Sequence, residues 1–307
     1  MRIAFLGTPD FAIPSLQMLI QTGYELIVFT QPDRPAGRHA VHIPPPVKVF
    51  AHKHGIPVYQ PEHIRSDDGL AALKRFSPDL MVTAAFGQML SMDNLAIPRF
   101  GCINVHGSLL PKYRGAAPIQ WAIICGENES GITTMFTDIG VDTGDMLLQD
   151  VLAIRPDETA GELSKRLAQL GAETLYRTLK ALHNNALICY PQTSAQASTY
   201  PILKKEHGRL EFSQPAMAVH NRVRGTNPWP GAFALLDDEP LKIWRTRPHD
   251  TPHSYSDGYC FGSAKEGLFI ACKAGAVEVL ELQSPGGKRL DGRSFLLGKP
   301  ICGKKLA

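Results

Sequence analysis

The chain has 307 residues, of which 44% are hydrophobic and 20% charged, with a formal net charge of +3. This is enough chain for two domains with cores of their own, and the balance is that of a globular protein rather than a fibrous or disordered one. The longest apolar runs are strand-sized, which excludes a membrane span, and six scattered cysteines without a Cys-x-x-Cys pair exclude a disulfide scaffold.

The opening run Met1–Gly7 is too short for a signal-peptide core, so a cytoplasmic, reducing setting is expected. Cys102 and Cys125 lie in apolar runs and read as buried thiols. The charge is uneven along the chain. Residues 1–200 carry 16 Lys and Arg against 18 Asp and Glu, whereas residues 201–307 carry 16 against 11. The basic C-terminal part suits an anionic partner, nucleic acid first, although a merely soluble basic domain fits the charge as well.

In chain order, Arg2–Leu6 reads as a buried strand, and the turn at 7–10 is placed to cap a helix over Phe11–Thr22. A strand over Tyr24–Thr30 runs into a Pro/Gly-rich loop, Gln31–Pro46. Val47–His54 has the pattern of a helix, Val58-Tyr59 of a brief strand and 67–77 of a second helix. Leu80–Ala85 and Gly101–His106 read as buried strands, with a helix over Pro118–Gly126 after them. Such alternation predicts a parallel sheet covered on both faces. The Gly-x-Gly-x-x-Gly dinucleotide fingerprint is absent.

Farther on, strands over Ile132–Thr137 and Asp145–Ile154 are expected to flank a turn containing Asp142, followed by a long helix over Thr159–Leu182. Residues 184–203, rich in Asn, Pro, Gln, Ser and Thr, read as a linker between a catalytic domain over 1–183 and a C-terminal domain over 204–307. That second domain begins with a helix over Gln214–Arg224, and closely spaced β-type runs then predict a small β-barrel.

The chemistry-bearing residues collect at one strand end. Asn104 and His106 are two apart, so on a strand they share a face. In doubly wound sheets, ligands sit beyond the carboxyl ends of the strands. With Asp142 from a later turn they make an amide donor, a titratable ring and an acid, a set suited to acyl transfer without a conventional nucleophile. Ser108 is no nucleophile-elbow serine, since its run is His-Gly-Ser-Leu-Leu rather than Gly-x-Ser-x-Gly. The pairs His52/His54 and His39/His42 lack the close partners of a zinc site, and no metal is expected.

The runs Asn104-Val-His106-Gly-Ser108-Leu-Leu-Pro111, Arg114-Gly-Ala-Ala-Pro118 and Asp142-Thr-Gly-Asp-Met146 resemble the formyltransferases that use 10-formyltetrahydrofolate. Three more runs resemble the branch of that family acting on initiator methionyl-tRNA. They are Phe5-Leu-Gly-Thr-Pro-Asp-Phe11, the loop Phe29–Arg38 and Asn227-Pro-Trp-Pro-Gly231. The resemblance spans nearly the whole chain. It implies a Rossmann-like α/β catalytic domain followed by an OB-like β-barrel that binds tRNA, with folate as a ligand and no obligate protein partner.

By the same resemblance Asn104, His106 and Asp142 are catalytic, and Ser108, Leu109, Leu110 and Pro111 line the folate site with Phe86 and Gly87. The family often has Tyr where this chain has Phe86. Arg34 and Arg38 are the expected tRNA contacts of the first domain, although His39-Ala-Val-His42 stands where the family often continues with Lys-Lys. Lys204, Lys205, Arg222, Lys288 and Arg289 are those of the second domain, with Trp229 and Trp244 expected to pack it. Formyl transfer to an amino sugar or nucleotide precursor, hydrolysis of the formyl donor, and an inactive tRNA-binding protein remain as alternatives.

Overall fold

The structure, a computed structural model, describes residues 1–36 and 41–307. It divides into two compact units, neither contiguous in sequence. One comprises Met1–Gly115, Ser130–Leu152 and Ser164–Thr199; the other comprises Ala116–Glu129, Ala153–Leu163 and Tyr200–Ala307.

The first unit is built on a seven-stranded sheet in the order Met146–Ala153, Glu129–Phe136, Cys102–His106, Leu80–Ala84, Arg2–Gly7, Glu25–Phe29, Val58–Tyr59. The five strands from Cys102–His106 to Val58–Tyr59 are parallel, while Glu129–Phe136 pairs antiparallel to Cys102–His106. Sequence pattern and position agree. Leu80–Ala84 is buried at every residue, as a strand covered on both faces must be, whereas the edge strand Met146–Ala153 alternates exposed with less exposed positions. The chain runs outward from Arg2–Gly7 to Val58–Tyr59 and then returns to its other side at Leu80–Ala84. The topological switch point therefore lies between the carboxyl ends of those two strands.

The long helix is Ala160–His183. Thr159 and Glu162 close its start as a capping box. Glu162 Oε2 accepts from the Thr159 amide at 2.8 Å, and Thr159 Oγ1 accepts from the Glu162 amide at 3.3 Å. Gly171 lets this helix lie close against the Cys102–His106 strand, because a Cβ there would sit 2.9 Å from Val105 Cγ1.

Several local readings need correction. The turn at 7–10 caps no helix with a side chain; a 3-10 turn, Asp10–Ala12, precedes the helix Ile13–Gln21. Thr8 is diverted, its hydroxyl donating to the Phe86 carbonyl at 2.9 Å. Within the Gln31–Pro46 segment Arg34–Ala36 pairs antiparallel with Val41–Ile43, where Pro35 costs little because the ladder is only two strands wide. Cys125 is exposed, since it falls at the C-cap of Pro118–Ile124, beyond the turn that packs.

The second unit carries an antiparallel sheet in the order Ala232–Leu236, Glu239–His249, Ala276–Gln283, Gly267–Ala271, Cys260–Ser263, with Leu290–Asp291 added to Ala276–Gln283. Its first hairpin turns at Asp237 and Asp238, both with positive φ, the two-residue geometry that matches strand twist and that Asp tolerates. The register slips near Arg245, so that Ile243 and Trp244 are both buried on one strand. Helix Ala216–Gly225 packs Val219 and Val223 into the same core as Ile243, Ile270 and Val279.

Candidate active site

The last residues of the Cys102–His106 strand meet a loop that precedes the Met146–Ala153 strand. Asn104 Nδ2 donates to Asp142 Oδ1 at 3.3 Å, and the Gly115 amide donates to Asp142 Oδ2 at 2.8 Å. His106 Nδ1 lies 3.6 Å from Asp142 Oδ2, an ion-pair distance rather than a hydrogen bond. The other ring nitrogen, Nε2, lies 2.9 Å from the Tyr113 carbonyl. A carbonyl only accepts, so Nε2 carries the hydrogen and Nδ1 is the nitrogen turned toward the acid. The ring is buried, while the Asp142 side chain keeps 18% of its surface. The three residues singled out in the sequence are thus brought together.

The loop holding Asp142 is tightly made. Asp142 itself has φ +52°, and a Cβ on Gly144 would lie 1.9 Å from the Phe136 carbonyl oxygen. The Asp138 carboxylate accepts from the Thr143 hydroxyl at 2.7 Å and from the Gly140 amide at 3.1 Å, closing the turn from within.

Ser108–Pro111 runs from this strand end. The Ser108 hydroxyl is committed to the Lys112 carbonyl at 2.7 Å, which removes it as a nucleophile. Thr133 Oγ1 donates to the Ser108 carbonyl and accepts from the Leu110 amide, and Gln149 Nε2 donates to the Leu110 carbonyl at 2.7 Å. Ser108 and Leu110 are buried, whereas Leu109 and Pro111 are half-buried. At the start of the same strand, burial pushes the Cys102 thiol up to about 12, so it is not a candidate nucleophile.

At the switch point, Gly87 is exposed with φ +78°, and Gln31 Nε2 donates to the carbonyls of Phe86 and Gly87, both at 3.1 Å. The Phe86 ring is 4% exposed, in a cluster with Leu6, Phe29 and Met81. The Phe86 side chain therefore faces the core, while its carbonyl accepts from Thr8 and Gln31.

Arg34 is exposed and pairs with Glu62 at 3.2 Å. The strand pair carrying it is anchored at Asp33, held below the usual carboxylate range first by the Gln60 amide and then by the Lys48 ammonium. Arg38 lies outside the described residues. In the second unit, exposed Lys204 precedes the turn Lys205–Gly208 and exposed Lys205 opens it, and Arg222 Nη1 donates to the His207 carbonyl in that turn at 3.4 Å. Lys288 and Arg289 are exposed at a second place, with the Arg289 guanidinium 3.7 Å from the Trp244 ring centre. Trp244 is 6% exposed and packs as expected, but Trp229 is 53% exposed and does not, being presented between Pro228 and Pro230.

Two residues that the sequence reading missed complete the site. Thr83 bonds Asn104, and a lone polar residue inside the apolar run Leu80–Ala84 is a signal that could have found it. Gln192, in the expected linker, bonds the Asp142 loop and leaves no periodic signal. Among the described residues, no three His, Cys, Asp or Glu side chains gather as metal ligands, and no helix is long and apolar enough to cross a membrane.

Comparison with known proteins finds two contiguous matches along the chain. Residues 1–179 match the formyl transferase family, and residues 202–300 match the formyl transferase C-terminal domain. The methionyl-tRNA formyltransferase of Ruminiclostridium cellulolyticum is 48% identical over 310 residues, covering 100% of this chain and 99% of the relative. That of Acetivibrio thermocellus is 48% identical over 308 residues, covering 100% and 97%. The solved N-formyltransferase from Helicobacter canadensis, in complex with folinic acid and dTDP-3-aminofucose, is 17% identical. It matches with a TM-score of 0.69 over 94% of this chain and 99% of its own, a likeness of fold. Full-length identity at this level, reaching across both units, makes the chain a member of the methionyl-tRNA formyltransferase family.

Proposed function

We propose that this chain transfers a formyl group from 10-formyltetrahydrofolate to the α-amine of initiator methionyl-tRNA, giving the formylated initiator for translation in the cytoplasm. The convergence of Asn104, His106 and Asp142 at the carboxyl end of the sheet carries the mechanism. Full-length relatives named methionyl-tRNA formyltransferase support the acceptor.

The amine attacks the formyl carbon, the C=O electron pair moves to oxygen, and the bond to N10 then breaks as N10 takes up a proton. Asn104 has one Nδ2 hydrogen directed at Asp142, and its second is available to the developing oxyanion. His106, with Nε2–H fixed on the Tyr113 carbonyl, presents the Nδ1 lone pair as the base for the amine proton. Asp142 stabilises the resulting imidazolium and assists return of the proton to N10. Such proton relay is typically worth about 10²–10⁴-fold. The half-buried Leu109 and Pro111, with the exposed Gly87 backbone, suit the flat pterin of the folate, and no metal enters the scheme.

Arg34 and Arg38 serve the acceptor end of the tRNA. Lys204, Lys205, Arg222, Lys288 and Arg289 position its phosphates without reading bases. We further assign the catalytic work to residues 1–183 and tRNA phosphate binding to residues 204–307.

The test is single-turnover release of tetrahydrofolate from 10-formyltetrahydrofolate with charged initiator tRNA, with uncharged tRNA and without acceptor. Release only with the charged tRNA, together with formylated methionine, is expected. Release without acceptor would instead make the chain a hydrolase. In the same assay, Arg38→Ala should impair use of methionyl-tRNA far more than folate binding.

A further inference from the structure

We infer that Gln192 is a positioning residue that holds Asp142 in its working conformation, and that the polar stretch around it is a strap over the active site rather than a linker. The inference rests on the catalytic reading of Asp142 given above.

One side chain joins the two segments that meet at the carboxylate. Gln192 Nε2 donates to the backbone carbonyls of Asp142 and Gly144, both at 2.8 Å. Its Oε1 accepts from Arg114 Nε at 2.9 Å. Arg114 immediately precedes Gly115, whose amide binds Asp142 Oδ2. Gln192 therefore fixes both the backbone of the acid and the Arg114-Gly115 segment whose amide is the acid's hydrogen-bond donor. These hydrogen bonds go to the Asp142 backbone and not to its carboxylate or to the His106 ring, so Gln192 acts through Asp142.

The same strap reaches the ring from its other end. Ser198 donates its amide to the Pro111 carbonyl at 3.2 Å, accepts the Tyr113 amide on Oγ at 2.9 Å, and accepts the Arg114 amide on its carbonyl at 2.8 Å. Tyr113 is the residue whose carbonyl sets the His106 tautomer, and it is held at φ +59°. Tyr190 exchanges both backbone hydrogen bonds with Met146, fixing the start of the strap. Asp142 and Tyr113 both have left-handed backbones; aspartate tolerates that conformation, whereas a bulky tyrosine keeps it only where its surroundings impose it.

The experiment compares Gln192→Glu, Gln192→Ala, Asp142→Ala and Asp142→Ala/Gln192→Glu in single-turnover formyl transfer, with folate KM and melting temperature measured for each. Glutamate preserves shape and the Arg114 contact but replaces both N–H donors with an acceptor. Gln192→Glu should lower kcat on the order of 10²-fold, as small misplacements of catalytic groups do. Folate KM and melting temperature should stay near wild type, and the double variant should be no slower than Asp142→Ala alone. Two results overturn the strap: a Gln192→Glu enzyme with wild-type kcat beside an inactive Asp142→Ala, or losses that multiply in the double variant. An active Asp142→Ala would instead remove the catalytic reading itself, which separates the two failures.

Discussion

Thr83 Oγ1 donates to Asn104 Oδ1 at 2.8 Å, and this bond decides which way the Asn104 amide faces. The Asp142 carboxylate accepts only, so the amide atom toward it must be nitrogen, which turns the oxygen toward Thr83 and makes the hydroxyl the donor. A buried threonine on the neighbouring parallel strand, in register with Asn104, thereby fixes the amide orientation on which the proposed oxyanion contact depends.

Replacing Thr83 with valine keeps the shape and removes the donor, leaving the Asn104 oxygen without its partner. An unsatisfied buried acceptor costs about 1–3 kcal/mol; Asn104 is half-buried, so its oxygen loses less, and the amide can regain part of that by rotating away from its working orientation. Thr83→Val should lower kcat by about tenfold, the equivalent of about 1.4 kcal/mol, with folate KM little changed. Thr83→Ser retains the hydroxyl and should stay within a factor of about three of wild type. Equal rates for valine and threonine would deny Thr83 any influence on the amide.

Asn104 itself should matter more. Asn104→Ala removes the donor to the developing oxyanion, a loss of about 10²–10³-fold in kcat where such donors have been removed elsewhere. Because the interaction strengthens only as charge develops, KM for 10-formyltetrahydrofolate should move little. Steady-state kinetics with saturating methionyl-tRNA reads both parameters, and a loss confined to KM would make Asn104 a binding group only.

How far the sequence carries depends on the range of the interactions. Two-residue spacing on a strand is local, so Asn104 and His106 could be placed on one face from the order of residues alone. Asp142 could be singled out as an acid in a later turn, but its assignment to this site rested on the family resemblance, because nothing local says that residue 142 turns back to residue 104. Gln192 was out of reach for a physical reason: its three partners, at 114, 142 and 144, are distant in sequence, and Pro, Ser and Thr around it report only the absence of a periodic element. Trp229 fails in the other direction. Composition predicts burial for a tryptophan, but two flanking prolines dictate a backbone course that leaves the ring outside.

Gly144 has no room for a side chain. An alanine Cβ would sit 1.9 Å from the Phe136 carbonyl oxygen, a backbone atom that cannot step aside without moving its strand. Gly144→Ala should displace the loop through the Gln192 bond to its own carbonyl and that of Asp142. Overpacking typically costs about 1–3 kcal/mol. The expected outcome is a folded protein with a lowered melting temperature and at least tenfold lower kcat. Wild-type activity in a stable Gly144→Ala protein would show that the loop tolerates movement around Asp142.

His220 makes the second unit sensitive to acid. Burial, chiefly, holds its pKa below the ordinary 6.5, and the Arg224 guanidinium one turn along the helix adds to the effect. The Pro156 carbonyl, Asp157 and Thr246 oppose it without reversing it. The Pro156 carbonyl requires Nε2–H, leaving Nδ1 to accept from the Thr246 hydroxyl, so the neutral ring satisfies both neighbours. The unfolded chain takes up a proton near pH 6.5 and the folded chain only at lower pH. Between those two values the unfolded state binds more protons, so stability falls as pH drops through that window and levels off below the folded pKa. Denaturation midpoints measured from pH 7.5 to pH 5 should therefore decline for the wild type. In His220→Gln, whose amide does not titrate, the midpoint should start lower and decline less steeply. Parallel curves for the two proteins would show that the acid sensitivity arises elsewhere.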